Sequence, residues 1–392
     1  MQPSELWLIL FALAALSARL GICLYLSGMC RARNAAAACL RSIADACIAV
    51  IAFWAVGFAI LSPASHAWFG LHGSFTAAAF FNASMVLIAT GAALGGTLGR
   101  TRMLAPLTVS ALLAGIVVPL AGRWVWSGWL HDLGFIDIAG DGPLHLCGAL
   151  AALTGAAIAR PRGGKYNRDG STNLIPGHSV PYAAVGAMAL AFGFIAQITG
   201  CAILRDSSPG AAAANALLAS AAGGCGALLL ARQRYRIADI HLFLAGFLAG
   251  LVTTAAGAGN LSSPLAAAVG LLAGILTPTA LVWLDLRLRI DDPSSAVATH
   301  FVGGTLGLLA AAFSAGVTSP VKQLGIQLLG ILAISALALI ASGAVFMLMR
   351  SANQLRLSEA DELDGDDLVE HDLNAYPDFQ QTMIKSYHLR ET

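Results

Sequence analysis

Apolar residues in this chain come in long unbroken runs, and the short polar stretches between them hold most of the Lys and Arg. Runs of about 20 apolar residues have the length at which an α-helix crosses the hydrocarbon core of a bilayer. Eleven such spans are expected, at 5–29, 43–62, 74–98, 103–122, 138–158, 180–204, 209–231, 238–258, 262–285, 295–316 and 323–349. Several are rich in Ala and Gly rather than Leu, as at 148–158 and 211–227, which lets helix backbones approach closely inside a bundle. The pattern therefore predicts an all-α polytopic membrane protein of eleven transmembrane helices in a lipid bilayer, with a membrane domain at 1–349 and a tail at 350–392.

The polar stretches differ in charge. Arg31, Arg33 and Arg41, then Arg100 and Arg102, then Arg160, Arg162, Lys165 and Arg168, then Arg232, Arg234 and Arg236, then Arg287 and Arg289 fall in alternate loops. The opposite loops hold Arg123, Arg205 and Lys322. Positive charge gathers on the cytoplasmic side, so the N-terminus is expected outside and the C-terminal tail inside. The opening Met-Gln-Pro-Ser-Glu has no basic region and no small-residue cleavage site follows, so the first run reads as a retained span. Arg19 lies inside that span and is expected to face the bundle or to snorkel.

Two polar intrusions into apolar sequence share one spacing. D-I-A-G-D-G-P-L-H at 137–145 and D-P-S-S-A-V-A-T-H at 292–300 each set an acid eight residues before a histidine. Eight residues is a little over two helical turns, which predicts Asp137 with His145, and Asp292 with His300, on roughly one helix face. Titratable groups at bilayer depth are costly and mark functional sites. With eleven spans, the helix bearing His145 runs inward and the helix bearing His300 runs outward, five helices later. An odd repeat inverts its topology, so spans one to five and six to ten are expected to be related by a pseudo-two-fold axis in the membrane plane, with a final helix added. That symmetry brings the two histidines together near the midplane, Asp137 to the outer mouth and Asp292 to the inner mouth.

Composition narrows the function classes. With 57% apolar residues, 11% charged residues and a mean hydropathy of +0.75, the 392-residue chain is no water-soluble domain. A net charge of +1 without a basic stripe gives no basis for nucleic-acid binding. The seven cysteines have no disulfide or metal-ligand spacing and read as small apolar fillers. No nucleophile, phosphate loop or ligand cluster is present, so neither an enzyme nor a cofactor or metal is expected.

Five motifs in order along these spans resemble the ammonium transporter, methylammonium permease and Rhesus family, in a divergent bacterial-type form. They are L-Y-L-S-G-M-C-R-A-R-N at 24–34, F-W-A-V-G-F at 53–58, D-I-A-G at 137–140 with His145, G-H-S-V-P at 177–181, and D-D-P at 291–293 with His300. The resemblance implies a homotrimer in the cell's inner (plasma) membrane, with a narrow hydrophobic pore through each subunit. Ammonium is gathered at an outer vestibule, loses a proton, and ammonia or its equivalent passes a twin-histidine pair. By position the pair is His145 and His300, the outer-mouth aspartate is Asp137, and the vestibule tryptophan is Trp126, with Trp124 the alternative. Such an indole face attracts a cation by about 0.5–2 kcal/mol.

The departures matter as much. By that resemblance Met85 and Gln197 stand where two gate phenylalanines are usual, and Cys201 where a serine is usual. Met85 fills a packing gap or forms part of a gate; Gln197 lines the pore or bonds across helices. Asp141 is an added acid which, facing the pore, would favour a protonated His145. The acidic tail, with its E-H-D-L-N-A-Y-P wording, is similar to the family's C-terminal segment, which packs under the trimer and in bacterial relatives meets a PII-type signalling protein. Two functions follow: transport of ammonium or ammonia regulated at the cytoplasmic face, or an ammonium-binding sensor that conducts little.

Overall fold

In a computed structural model of the chain, residues 3–62 and 76–377 are described. Among them the fold is helical and membrane-spanning, built from α1 (Glu5–Met29), α2 (Ala32–Leu61), α3 (Ala77–Gly95), α4 (Leu104–Asp132), α5 (Asp141–Ala159), α6 (Val180–Leu204), α7 (Pro209–Tyr235), α8 (Ile240–Val252), α9 (Ser263–Leu288), α10 (Ala296–Phe313) and α11 (Pro320–Ser351). Leu6, Leu10, Leu13, Leu332 and Ile340 are among the large apolar side chains left exposed on its outside, as lipid-facing positions require.

Ten of these helices are long and apolar enough to cross a bilayer; α8 is not. The run at 238–258 predicts a full span, but α8 has 13 residues, about 20 Å at 1.5 Å per residue. Beyond Val252 the chain turns repeatedly, and its backbone is paired with another non-helical stretch. Ile138 and Ala139 donate their N–H groups to the carbonyls of Ala256 and Ala255 at 2.8 and 2.9 Å. Irregular backbone inside a bundle persists where such partners satisfy it, which is why these two breaks face each other.

Small residues set the closest helix contacts. A side chain at Gly21 would strike the backbone of Leu190, and one at Gly186 the backbone of Tyr25, so α1 and α6 cross with their main chains almost touching. Arg19 faces the bundle rather than snorkelling: it pairs with Asp45 of α2, and Thr90 of α3 donates to the same carboxylate at 2.9 Å. Asp45 had not stood out from the pattern, and it is the group that makes a buried arginine tolerable.

The arginine-bearing loops gather at one end of the bundle, and the tail folds against them. Ser358 caps the short helix α12 (Glu359–Asp364), Gly365 at φ +102° turns the chain past Arg33, and α13 (Asp366–His371) follows. Asp367 then accepts hydrogen bonds from the N–H groups of Ala36 and Ala37 at 3.1 and 2.7 Å, capping α2 from a distant part of the sequence. Arg41 pairs with Asp366 at 3.0 Å, and Tyr376 meets Nε2 of His178 at 2.6 Å. Asp367→Ala is expected to cost about 1 kcal/mol of capping energy. Limited proteolysis should then cut the segment beyond Ser351 several-fold faster than in the wild type. Residues 378–392, where part of the tail expectation falls, lie outside the described residues.

Candidate functional site

Helix α5 is made to start abruptly. Gly140 takes φ +94°, a left-handed value that a side chain would strain, and the first turn, Asp141–Leu146, is wide and π-helical. Asp137 caps this start: Oδ1 accepts from the N–H groups of Gly140 (2.7 Å) and Asp141 (2.9 Å), and Oδ2 from Gly142 (2.8 Å). Burial pushes its carboxyl up to about 6 against the pull of these three donors. At the other end of the site, Pro293 and Ser295 at φ +61° break the chain before α10, and Asp292 Oδ2 accepts from Ala298 N–H at 3.2 Å. Burial likewise pushes Asp292 up to about 7.

Neither acid therefore shares a helix with its histidine, contrary to the reading of the eight-residue spacing. Each sits outside the helix and caps its N-terminus, and the spacing measures the distance from cap to imidazole. Asp141 is held differently, by the turn after α8. It is fully buried, and its Oδ2 accepts from Ala256 N–H at 2.8 Å, tying α5 to the turn after α8.

His145, on the wide turn, and His300, on the second turn of α10, meet with Nδ1 to Nδ1 at 2.9 Å. Their rings lie 5.0 Å apart with planes 10° from parallel. One Nδ1 must donate and the other accept, so the neutral pair holds opposite tautomers around one shared proton. Nε2 of His145 has no partner among the described residues and is free to pass or receive a proton or hydrogen bond. Phe194 of α6 stands edge-on to both rings, at 5.2 and 5.9 Å, and keeps water from their sides.

Towards the arginine-bearing end, a cavity of about 30 Å³ adjoins His300, with Tyr25, Phe194, Leu248 and Thr299 in its wall. It has room for one or two molecules of water size. Beyond it a wider cavity of about 330 Å³ is bordered by His241, Asp239, Asp285, Asp291 and Asp292. One of these acids, Asp291, takes Arg162 in a fork at 2.7 and 2.9 Å and Arg100 at 3.3 Å.

On the other side of the pair, α6 presents Gln197, Cys201 and Arg205 in register. Gln197 Nε2 donates to the Ala139 carbonyl at 2.7 Å and to Cys201 Sγ at 3.3 Å, and the Cys201 thiol faces Met85 Sδ at 3.7 Å. Gln197, Cys201 and Met85 are all buried. Gln197 thus bonds across to the chain at Ala139, and its Oε1 has no partner among the described residues. Trp126 is fixed by its Nε1 donating to the Asp137 carbonyl at 2.8 Å, and the guanidinium of Arg205 lies 4.1 Å above its ring. Trp124 instead packs edge-on against Trp129.

Sequence reasoning missed Phe194, Arg205 and Asp291. Phe194 could have been found as an aromatic three residues from Gln197 on the same helix face; Asp291 stood in the D-D-P motif, but its partners Arg100 and Arg162 lie 191 and 129 residues away and left no local signal. Arg205 left a faint signal, as one of few cations on its side.

The model of the Ammonium Transporter Family matches residues 6–376. The chain is 33% identical to an ammonium transporter, Amt2, of Haloferax mediterranei, over 92% of this chain and 86% of the other. It is 28% identical to Amt2 of Archaeoglobus fulgidus, over 95% and 88%. Among solved structures it resembles a Sensor Amt Protein, with a TM-score of 0.88, 29% identity and coverage of 94% and 98%. It shares its fold with Mep2 of Candida albicans, at a TM-score of 0.81, 22% identity and coverage of 92% and 87%.

Proposed function

Because the chain belongs to the ammonium transporter family and is a multi-pass membrane protein, we propose that it moves ammonium or ammonia past His145 and His300. The observation that carries this reading is the imidazole pair itself, joined Nδ1 to Nδ1 at 2.9 Å inside an apolar bundle. Two groups that exchange donor and acceptor roles suit a solute that is both base and hydrogen-bond donor. On this path Met85 and Gln197 form the constriction, Asp137, Trp126 and Cys201 the outer vestibule, and Asp292 the inner mouth.

An inverted repeat of five helices plus five, with α11 added, accounts for the pairing of α5 with α10 and of α1 with α6, and for an acid capping each histidine helix. The arginine-bearing end, where the tail docks, is then cytoplasmic and the N-terminus outside. A homotrimer with a pore in each subunit, in the inner (plasma) membrane, completes the reading. The docked acidic tail would present the cytoplasmic face to a PII-type partner.

A second reading, a sensor that binds ammonium and conducts little, is favoured by one observation. Gln197, Cys201 and Met85 are fully buried on one side of the histidine pair, and on the other a cavity adjoins His300. The likeness to a Sensor Amt Protein points the same way. Purified protein reconstituted on a solid-supported membrane separates the two. An ammonium-evoked current above that of empty liposomes is expected; binding without current would replace transport by sensing.

A further inference from the structure

The outer aromatic face is already taken. Arg205 follows the last residue of α6, one turn beyond Cys201 and two beyond Gln197, so its side chain stands at the end of the row that leads to the histidines. Its guanidinium carbon lies 4.1 Å from the centre of the Trp126 ring, and Nη1 has no hydrogen-bond partner among the described residues. The indole is held rigidly by its bond to the Asp137 carbonyl, so the face it offers does not move away.

We propose that Arg205 is a tethered cation seated on Trp126, so that ammonium binds at this mouth only by displacing the guanidinium. Arg205 thereby sets the concentration dependence and the cation selectivity of the site. The inference rests on the ammonium reading above. Its physics is simple. One side of an indole holds one cation, because a second at the same distance meets direct charge repulsion. A guanidinium is also more weakly hydrated than an ammonium head and stacks flat on the ring, so it gives up less water to sit there. Tethering keeps it at an effective concentration in the millimolar range or above, so free ammonium competes at a disadvantage.

The test uses purified full-length protein and ammonium binding by isothermal titration calorimetry. Arg205→Gln is expected to tighten ammonium binding by about 2- to 30-fold, the range of a cation–aromatic contact converted to affinity. In a Trp126→Leu background the same change should give less than a 2-fold effect. Added guanidinium should compete with ammonium in Arg205→Gln and have little effect on the wild type. Arg205→Lys, with a more hydrated and more easily displaced head, should fall between the two and serves if Arg205→Gln does not fold. Unchanged or weaker binding in Arg205→Gln, or a gain that persists without Trp126, would overturn the proposal. Absence of wild-type flux together with these binding shifts would remove the transport reading and support the role of Arg205. Normal flux without the shifts would do the reverse.

Discussion

His145→Ala and His300→Ala are each expected to cut ammonium flux in proteoliposomes by tenfold or more, and the double variant to lose little beyond the single ones. The two rings orient each other, with Nδ1 atoms 2.9 Å apart and planes 10° from parallel. Removing either leaves the other without its donor or acceptor in an apolar wall, where an unmade hydrogen bond costs about 1–3 kcal/mol. It also opens space beside Phe194, letting the surviving imidazole turn away from the path. Residues that act as one unit give non-additive losses, so near-equality of single and double variants is the diagnostic result. Initial rates at several ammonium concentrations would measure it. Single variants that keep more than half of the wild-type rate, or losses that multiply, would show that the pair is packing and not path.

How far this site could be seen in the sequence depends on what each signal measures. Helix positions were legible because bilayer thickness imposes a length on apolar runs, and ten helices answer to it. The eighth misled for the same reason: T-T-A-A-G-A-G at 253–259 is apolar enough to extend a span, and hydropathy does not separate a helix from buried turns. Gly257 and Gly259, the latter at φ +79°, were the available warning.

The meeting of His145 and His300 left a trace in the sequence, because each histidine follows an aspartate by the same eight residues. The capping roles of Asp137 and Asp292 did not, since spacing alone cannot tell a residue inside a helix from one just before it. Partnerships across the fold, such as Arg205 on Trp126 or Asp45 with Arg19, leave no local periodic trace at all. Cys201 and Gln197 could be singled out by position, but their contacts with Met85 and Ala139 depend on how three elements pack.

Asp291→Asn is expected to produce the largest loss of stability, on the order of 3–5 kcal/mol, because it strips the charge that two buried arginines share. Arg100 is fully buried and Arg162 nearly so, and the carboxylate accepts three hydrogen bonds from Arg162, one of them from its backbone N–H at 3.1 Å. Asparagine has the shape but brings an NH₂ towards donors, so one or more of these bonds becomes a repulsion. Burial acts to raise the Asp291 carboxyl, but the Arg162 fork and the charge of Arg100 more than reverse it, holding it well below the usual carboxylate range.

A depressed value in the folded state means that this stabilisation is complete above the ordinary carboxylate value of about 3.9 and fades as pH falls towards the folded-state value. Wild-type melting temperature should therefore drop below about pH 4. The asparagine variant should melt lower at neutral pH and show a shallower decline over that acid window, with the difference between the two curves narrowing as pH falls. Thermal unfolding followed by intrinsic fluorescence from pH 7 to pH 3 reads both at once. Parallel curves across the whole range would mean that Asp291 is not the acid-labile clamp between Arg100 and Arg162.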